Sequence, residues 1–255
     1  MNKILKKIIE IFFPSHCLYC EKIITRDGLF CADCWSKLQF ISEPKCTICS
    51  YPFEIEITHR AANLLCSNCI IKKPPYDKSI TIFRYNKLIK KIISDLKYRD
   101  QTFLAKKFSK ILFDKIKTEI GDYDFILAVP LHQKRLRKRK FNQAILLCRA
   151  LFKHCKNYQK IKFYADFLCR TKNTIPQVEL RKKQRQKNLK NVFIVNKKYK
   201  NSVSGKNFLL IDDVMTTGAT LENCALALKK LGAEKITVLT IAKTIFNSVK
   251  ADHSK

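Results

Sequence analysis

The chain has 255 residues, enough for one large domain or for one good core with a smaller module beside it, and 46% of them are hydrophobic, which suits a globular fold. No apolar run reaches the roughly 18 residues of a membrane-spanning helix, so no integral membrane segment is expected. Lys and Arg outnumber Asp and Glu by 51 to 21, a net charge of +30 that suits polyanionic partners, yet the abundance of Lys, Ile and Asn gives the same excess a compositional source, so charge alone assigns no function.

The chain opens on MNKILKKIIEIFF. Its apolar positions Ile4, Leu5, Ile8, Ile9 and Phe12 fit a helical period. The segment is expected to dock on the protein itself, with contact to a membrane surface as the alternative. It lacks a small-residue cleavage site and Glu10 interrupts it, so a signal peptide is not expected and a cytoplasmic location is.

Twelve cysteines follow, and eight of them form four CxxC pairs: Cys17/Cys20, Cys31/Cys34, Cys46/Cys49 and Cys66/Cys69. A CxxC turn aims two sulfurs at one point, and two such turns complete a tetrahedral thiolate site. Disulfides are the competing account, but thiols of a chain without a signal peptide stay reduced. Two structural zinc ions are therefore expected. The simplest pairing is sequential, with Cys17, Cys20, Cys31 and Cys34 on one ion and Cys46, Cys49, Cys66 and Cys69 on the other; spacing leaves interleaved pairing open. Four thiolates leave no open coordination position, so neither ion is catalytic. His16 and His59 read as surface residues. Cys148, Cys155, Cys169 and Cys224 stand singly and read as small buried hydrophobes.

Beyond residue 80 the pattern changes. Residues 88–96 and 101–119 carry helical spacing. Residues 124–130, DFILAVP, make a continuous apolar run that reads as a buried strand. A basic helix is expected near 141–154. KFYADFLCR, ending at Arg170, reads as one strand-like run, and 171–190 is polar without a core pattern. Residues 192–195 and 208–211 read as strands. A helix near 219–231 puts Leu221, Cys224, Ala225, Leu228 and Leu231 on one face, with Gly232 placed to stop it. Residues 236–242 form the last strand, and 246–255 read as a loose tail. Strands alternating with helices indicate an α/β fold: a mostly parallel sheet with helices on both faces and a ligand beyond the strand C-termini.

The segment 208–220, FLLIDDVMTTGAT, carries the chemistry. A buried strand delivers Asp212 and Asp213, a turn of Thr216, Thr217, Gly218, Ala219 and Thr220 follows, and a helix begins at once. Successive backbone N–H groups in such a turn cradle an anion, helped by the helix N-terminus. Gly218 permits a left-handed backbone. A phosphate suits the turn, and the two carboxylates can accept hydrogen bonds from sugar hydroxyls or sit near a Mg²⁺ shell. The bland alternative is a plain strand–turn–helix with solvated acids.

This segment resembles the motif by which type I phosphoribosyltransferases bind phosphoribosyl pyrophosphate (PRPP). Over residues 17–243 the chain is similar to the ComF family, competence-associated proteins with an N-terminal double zinc ribbon and a type I phosphoribosyltransferase fold. The likeness includes Val129-Pro130-Leu131-His132, the basic residues Arg135, Arg137 and Arg139, and Phe141-Asn142-Gln143. It also includes Thr174, Gln177, Leu180, Arg185, Asn188 and Phe193. The resemblance implies a zinc-ribbon module over 15–72 and a phosphoribosyltransferase-fold domain over 80–245. It implies that 216–220 hold the 5′-phosphate, that Asp212 and Asp213 face the ribose hydroxyls, and that Pro130, Leu131 and His132 form a pyrophosphate loop. Residues 171–190 resemble the mobile flap of the fold.

Two departures stand out. The family usually has Gly before Phe-Asn-Gln, and this chain has Lys140. Where many purine phosphoribosyltransferases carry an acidic residue in the loop, this chain has Thr216, so the loop lacks a general base. The resemblance implies binding of PRPP with Mg²⁺ and a part in handling single-stranded DNA during natural transformation, beside other competence proteins. Two alternatives remain: a metabolic enzyme that transfers ribose 5-phosphate to a nitrogen base, and a zinc-ribbon nucleic-acid binder with a vestigial PRPP site.

Overall fold

The computed structural model describes residues 14–24, 28–54, 63–98, 101–171 and 192–246, with the side chains of Lys134 and Lys138 excepted. The expected N-terminal helix, His59, the flap-like stretch beyond Thr171 and all but the first residue of the tail lie outside them.

The cysteine-rich part begins with a two-residue hairpin, β1 (Ser15–His16) and β2 (Ile23–Ile24), and a short helix α1 (Ala32–Trp35). A second short helix, α2 (Ser67–Ile71), follows the loop that carries Cys46 and Cys49. Then come β3 (Lys78–Arg84), α3 (Lys87–Tyr98), α4 (Phe103–Ile116) and β4 (Phe125–Ala128). Two helices follow, α5 (Gln133–Arg139), for which the sequence offered no expectation, and α6 (Gln143–Phe152), the helix expected near 141–154. Lys140 breaks them with φ +64°, and Asn142 caps α6 by accepting a hydrogen bond from the Ala144 N–H at 2.9 Å.

The run ending at Arg170 is two strands, β5 (Lys162–Phe163) and β6 (Leu168–Arg170). The first joins the main sheet and the second pairs antiparallel with β7 (Phe193–Val195). Asp166 at the bend accepts hydrogen bonds from Tyr199 and Asn196, which turns the chain away from the sheet. The strand expected at 208–211 runs further, as β8 (Asn207–Met215), so both aspartates belong to it. α7 (Ala219–Lys229) and β9 (Lys235–Lys243) complete the fold. Gly232, at φ +82°, does turn the chain just past α7. β3 had no counterpart in the sequence reading, because KSITIFR mixes polar and apolar residues as an edge strand does.

The five-stranded sheet has the order β3-β9-β8-β4-β5, parallel throughout. Its strands alternate between two buried faces. Ile126, Leu209, Ile211, Leu239 and Ile241 pack with α3, α4 and α6 on one side. Leu127, Phe208, Leu210, Ile236 and Val238 pack with α7 and the β6–β7 hairpin on the other. Connections leave β4 toward β5 and β8 toward β9, in opposite directions, so the topological switch point lies between β4 and β8.

The cysteine-rich part is fastened to this sheet. Cys17, Phe30, Cys34 and Leu38 share one apolar core with Ile82, Phe83 and Leu88. The Ile41 N–H donates to the Ile82 carbonyl at 2.8 Å, and the Arg84 N–H donates to the Gln39 carbonyl at 2.7 Å. The segment between the two cysteine clusters thus covers the free edge of β3.

Candidate functional site

The cysteines fall into the sequential groups. The four sulfurs of Cys17, Cys20, Cys31 and Cys34 lie within 4.8 Å of one another, as do those of Cys46, Cys49, Cys66 and Cys69. None of the twelve cysteines is in a disulfide. Tetrahedral zinc with bonds of about 2.3 Å needs sulfurs about 3.8 Å apart. The Cys20–Cys31 and Cys49–Cys66 sulfur separations, both 3.5 Å, suit that geometry. Two such clusters fit two structural zinc ions, which would lock each knuckle where apolar burial is thin. His16 is exposed and its ring nitrogen meets the Glu21 carbonyl at 2.8 Å, outside both clusters.

The second site lies at the switch point. A cleft of about 490 Å³ opens beyond the C-terminal ends of β4 and β8. Its floor is Asp212, Asp213 and the turn to α7, with Thr216, Gly218, Ala219 and Thr220 on the wall. Gly218 has φ +80°, and a Cβ there would stand 3.4 Å from a Glu222 carboxylate oxygen. The left-handed backbone lets the chain turn sharply from strand to helix beside the cleft. Thr217 lies in the same turn but does not line the cleft; its hydroxyl oxygen is buried without a hydrogen-bond partner among the described residues.

The two aspartates differ. The Asp213 carboxylate receives the Lys97 ammonium at 2.6 Å, and these side chains are 4% and 20% exposed. Its other oxygen accepts from the Val214 N–H at 2.9 Å. Burial alone would lower the Lys97 ammonium, and the Asp213 carboxylate reverses that and holds it above its ordinary value. Asp212 keeps part of its surface in the cleft and has no ion pair among the described residues. Burial, and next the neighbouring Asp213 carboxylate, push its carboxyl well above the usual range.

Arg135, Arg139 and Arg170 line the same cleft, along with Lys97. Burial, and then Arg139, lowers Arg135, while burial, and then Arg135, lowers Arg170 to about 10. Each of these shifts is a cation paying for confinement near other cations, which an incoming polyanion would relieve. Arg139 lies 5.0 Å over the Tyr98 ring and donates to its hydroxyl at 2.9 Å.

Of the expected pyrophosphate loop, Pro130 and Leu131 line the cleft and His132 does not. The His132 carbonyl instead accepts the Arg135 and Leu136 N–H groups at 2.9 Å, which starts α5. The buried Asn142 side chain also donates to the Val129 carbonyl at 3.0 Å, tying the start of α6 to this loop. Sequence reasoning missed Lys97, Tyr98, Gln143 and Arg170 as lining residues. Arg170 ends a strand at the ligand end of the fold and could have been flagged. Lys97 belongs to a helix whose register against the sheet no local pattern shows.

A double zinc ribbon domain model matches residues 8–70, and a phosphoribosyl transferase domain model matches residues 161–252. Competence protein F of Haemophilus influenzae is 29% identical over 239 residues, covering 91% of this chain and 98% of that protein. DNA utilization protein YhgH of Escherichia coli O6:H1 is 30% identical over the same length, with the same coverage of both chains. Competence protein ComFC of Bacillus subtilis is 26% identical over 248 residues, covering 89% of this chain and 95% of that one. Among solved structures, purine phosphoribosyltransferase from Pyrococcus horikoshii Ot3 is 19% identical, covers 55% of this chain and 75% of that one, and superimposes with a TM-score of 0.33.

Proposed function

The chain belongs to the family of competence protein F, ComFC and YhgH, and from that premise we propose that it binds PRPP with Mg²⁺ in the β4–β8 cleft and acts in the handling of DNA taken up by the cell. One observation carries the reading: two carboxylates, a left-handed Gly218 turn and three arginines line a single cleft. A sugar that carries phosphates at both ends matches that set of groups. The turn amides and Thr216 and Thr220 would take the 5′-phosphate, and Asp212 would accept ribose hydroxyls. Lys97, Arg135, Arg139 and Arg170 would face the pyrophosphate, and the Mg²⁺ shell would lie on the carboxylate side. Asp213 would act from behind, holding Lys97. Reduced thiolates in both zinc clusters suit a cytoplasmic place.

The DNA part rests on the family and on the net charge of +30, which suits contacts to a phosphate backbone. A purine-transferring enzyme is the weaker reading. Among the described lining residues no His or Glu is present to move a base proton, and the loop position is Thr216.

Thermal denaturation with increasing ligand tests the proposal. PRPP–Mg²⁺ should raise Tm in proportion to the logarithm of its concentration, while free ribose should not. Equal responses to both, or to neither, count against the cleft assignment. Binding of a labelled single-stranded oligonucleotide should weaken steeply with salt; a flat salt dependence counts against the DNA part. Release of pyrophosphate on addition of a nitrogen base would move the reading to a metabolic transferase.

A further inference from the structure

One buried cation has no part in the cleft chemistry above. Lys243 ends β9 and is only 8% exposed. Its ammonium donates to the Cys49 carbonyl at 2.8 Å and lies 3.2 Å from the Met215 sulfur. Cys49 belongs to the second thiol cluster. Met215 ends β8, lines the cleft and directly precedes Thr216 of the phosphate turn. The backbone repeats the link, since the Thr244 N–H donates to the Met215 carbonyl at 3.0 Å.

A buried ammonium is costly unless something compensates its charge. A carbonyl and a thioether are neutral, and the thioether is a weak acceptor. Four thiolates around a divalent ion carry two net negative charges, and this cluster stands directly behind the Cys49 carbonyl. The charge balance at Lys243 therefore involves the second metal centre. Ile48, from the same knuckle, packs against both the cysteine cluster and the core beneath α7. Among the described residues the first cluster packs on the opposite face, with Cys17 and Cys34 against Ile82 and Leu88, and the lysine that reaches its knuckle, Lys91, donates to the Tyr19 carbonyl at 2.6 Å from the middle of α3 rather than from a strand that ends at the phosphate turn.

We infer that Lys243 is a positioning residue that couples zinc at Cys46, Cys49, Cys66 and Cys69 to the phosphate turn. With zinc bound, the knuckle fixes the Cys49 carbonyl and supplies the field that holds the ammonium against Met215, and the turn after Met215 keeps its shape. Without zinc, the ammonium loses both supports and the turn loses its anchor. Coupling of two binding sites is reciprocal, so a ligand in the cleft tightens zinc at this centre and leaves the first centre unchanged. The inference rests on the reading of the cleft as a PRPP–Mg²⁺ site.

The test is zinc release from the full-length, zinc-loaded chain to a chromogenic chelator, with and without saturating PRPP. Mg²⁺ is held in excess in both arms so that free PRPP does not compete for zinc. One of the two ions should resist the chelator several-fold more strongly when PRPP–Mg²⁺ is present, and the other should not respond. In Lys243→Met, an unbranched apolar replacement of similar length, both ions should stay bound while the difference disappears and PRPP binds several-fold more weakly. Identical release in the two arms of the wild-type protein, with PRPP binding seen by calorimetry, overturns the coupling alone. Absence of PRPP binding in calorimetry overturns the cleft reading and the coupling with it. Should Lys243→Met fail to hold two zinc ions, the wild-type comparison decides by itself.

Discussion

Asp212 and Asp213 are adjacent in sequence, and a sequence reading treats them as a pair. The structure separates them by the company each keeps. Asp213 answers a half-buried lysine, and Asp212 lines the cleft without an ion pair among the described residues. Removing one member of a buried ion pair leaves an uncompensated charge, so Lys97→Met should destabilise the fold by about 3–5 kcal/mol in urea titration. Asp212→Asn should behave in the opposite way. A carboxyl raised above its ordinary value of 3.8 keeps its proton in the folded chain where the unfolded chain has lost it. Its contribution to stability is present below that value and falls as pH rises through the raised one. The Asn variant lacks this fall, so at neutral pH its Tm should equal or exceed that of the wild type, while PRPP binding drops. Its amide oxygen can still accept the Asp213 N–H, as the carboxylate does at 2.8 Å. A Tm curve for Asp212→Asn that tracks the wild type across the acid range would refute the assignment of this titration to Asp212.

At the scale of elements, two turns shape the cleft and each depends on a particular backbone. Gly218 lies at φ +80°, where a side chain costs about 1–2 kcal/mol, so Gly218→Ala should lower stability by about that much and weaken PRPP binding together with it. Lys140 adopts a left-handed backbone, φ +64°, at the position where the family resemblance implied glycine. The residue still turns the chain between α5 and α6 and presents Asn142 to cap the second of them. Asn142→Ala should cost about 0.5–2 kcal/mol through the lost cap and also free the Val129 carbonyl beside the cleft. Asn142→Asp keeps the cap acceptor but not the donor to Val129, so comparing the two variants by thermal denaturation separates the contributions.

The elements also show where the sequence was informative. β4, β8, α7 and β9 are long apolar or amphipathic runs bounded by turn residues, and their types were readable from periodicity. KFYADFLCR was misread as one strand because apolar and aromatic residues sit on both sides of Ala165-Asp166, while the break comes from hydrogen bonds to Asn196 and Tyr199, about 30 residues on. The helix expected at 141–154 is α6, whereas α5 before it was not legible, since Arg and Lys at 134–140 carry no apolar period. The phosphate turn was legible because its residues are contiguous. The cationic wall was not, because Lys97, Arg139 and Arg170 come from three separate elements and meet only after the sheet is assembled.

At the scale of the whole molecule, the zinc knuckles are part of the sheet's architecture. The first shares a core with α3 and β3, the linker after it covers the β3 edge, and the second reaches the ligand end of β8 and β9 through Lys243. Purified protein should carry two zinc equivalents per chain by elemental analysis. Strong chelation should expose the β3 edge and lower the Tm of the whole chain, as one joined core requires. A phosphoribosyltransferase-fold transition unchanged by zinc removal would contradict that joint packing.

The central claim is that the cleft at the β4–β8 switch point takes PRPP with Mg²⁺. Isothermal calorimetry of the zinc-loaded chain beside Asp212→Asn tests it most directly, because this variant replaces the cleft-facing carboxyl and leaves the Lys97–Asp213 pair in place. Saturable binding of one PRPP per chain, dependent on Mg²⁺ and lost or sharply weakened in Asp212→Asn, is the predicted result. No binding to a folded, zinc-loaded wild type, or equal binding to both proteins, would contradict it.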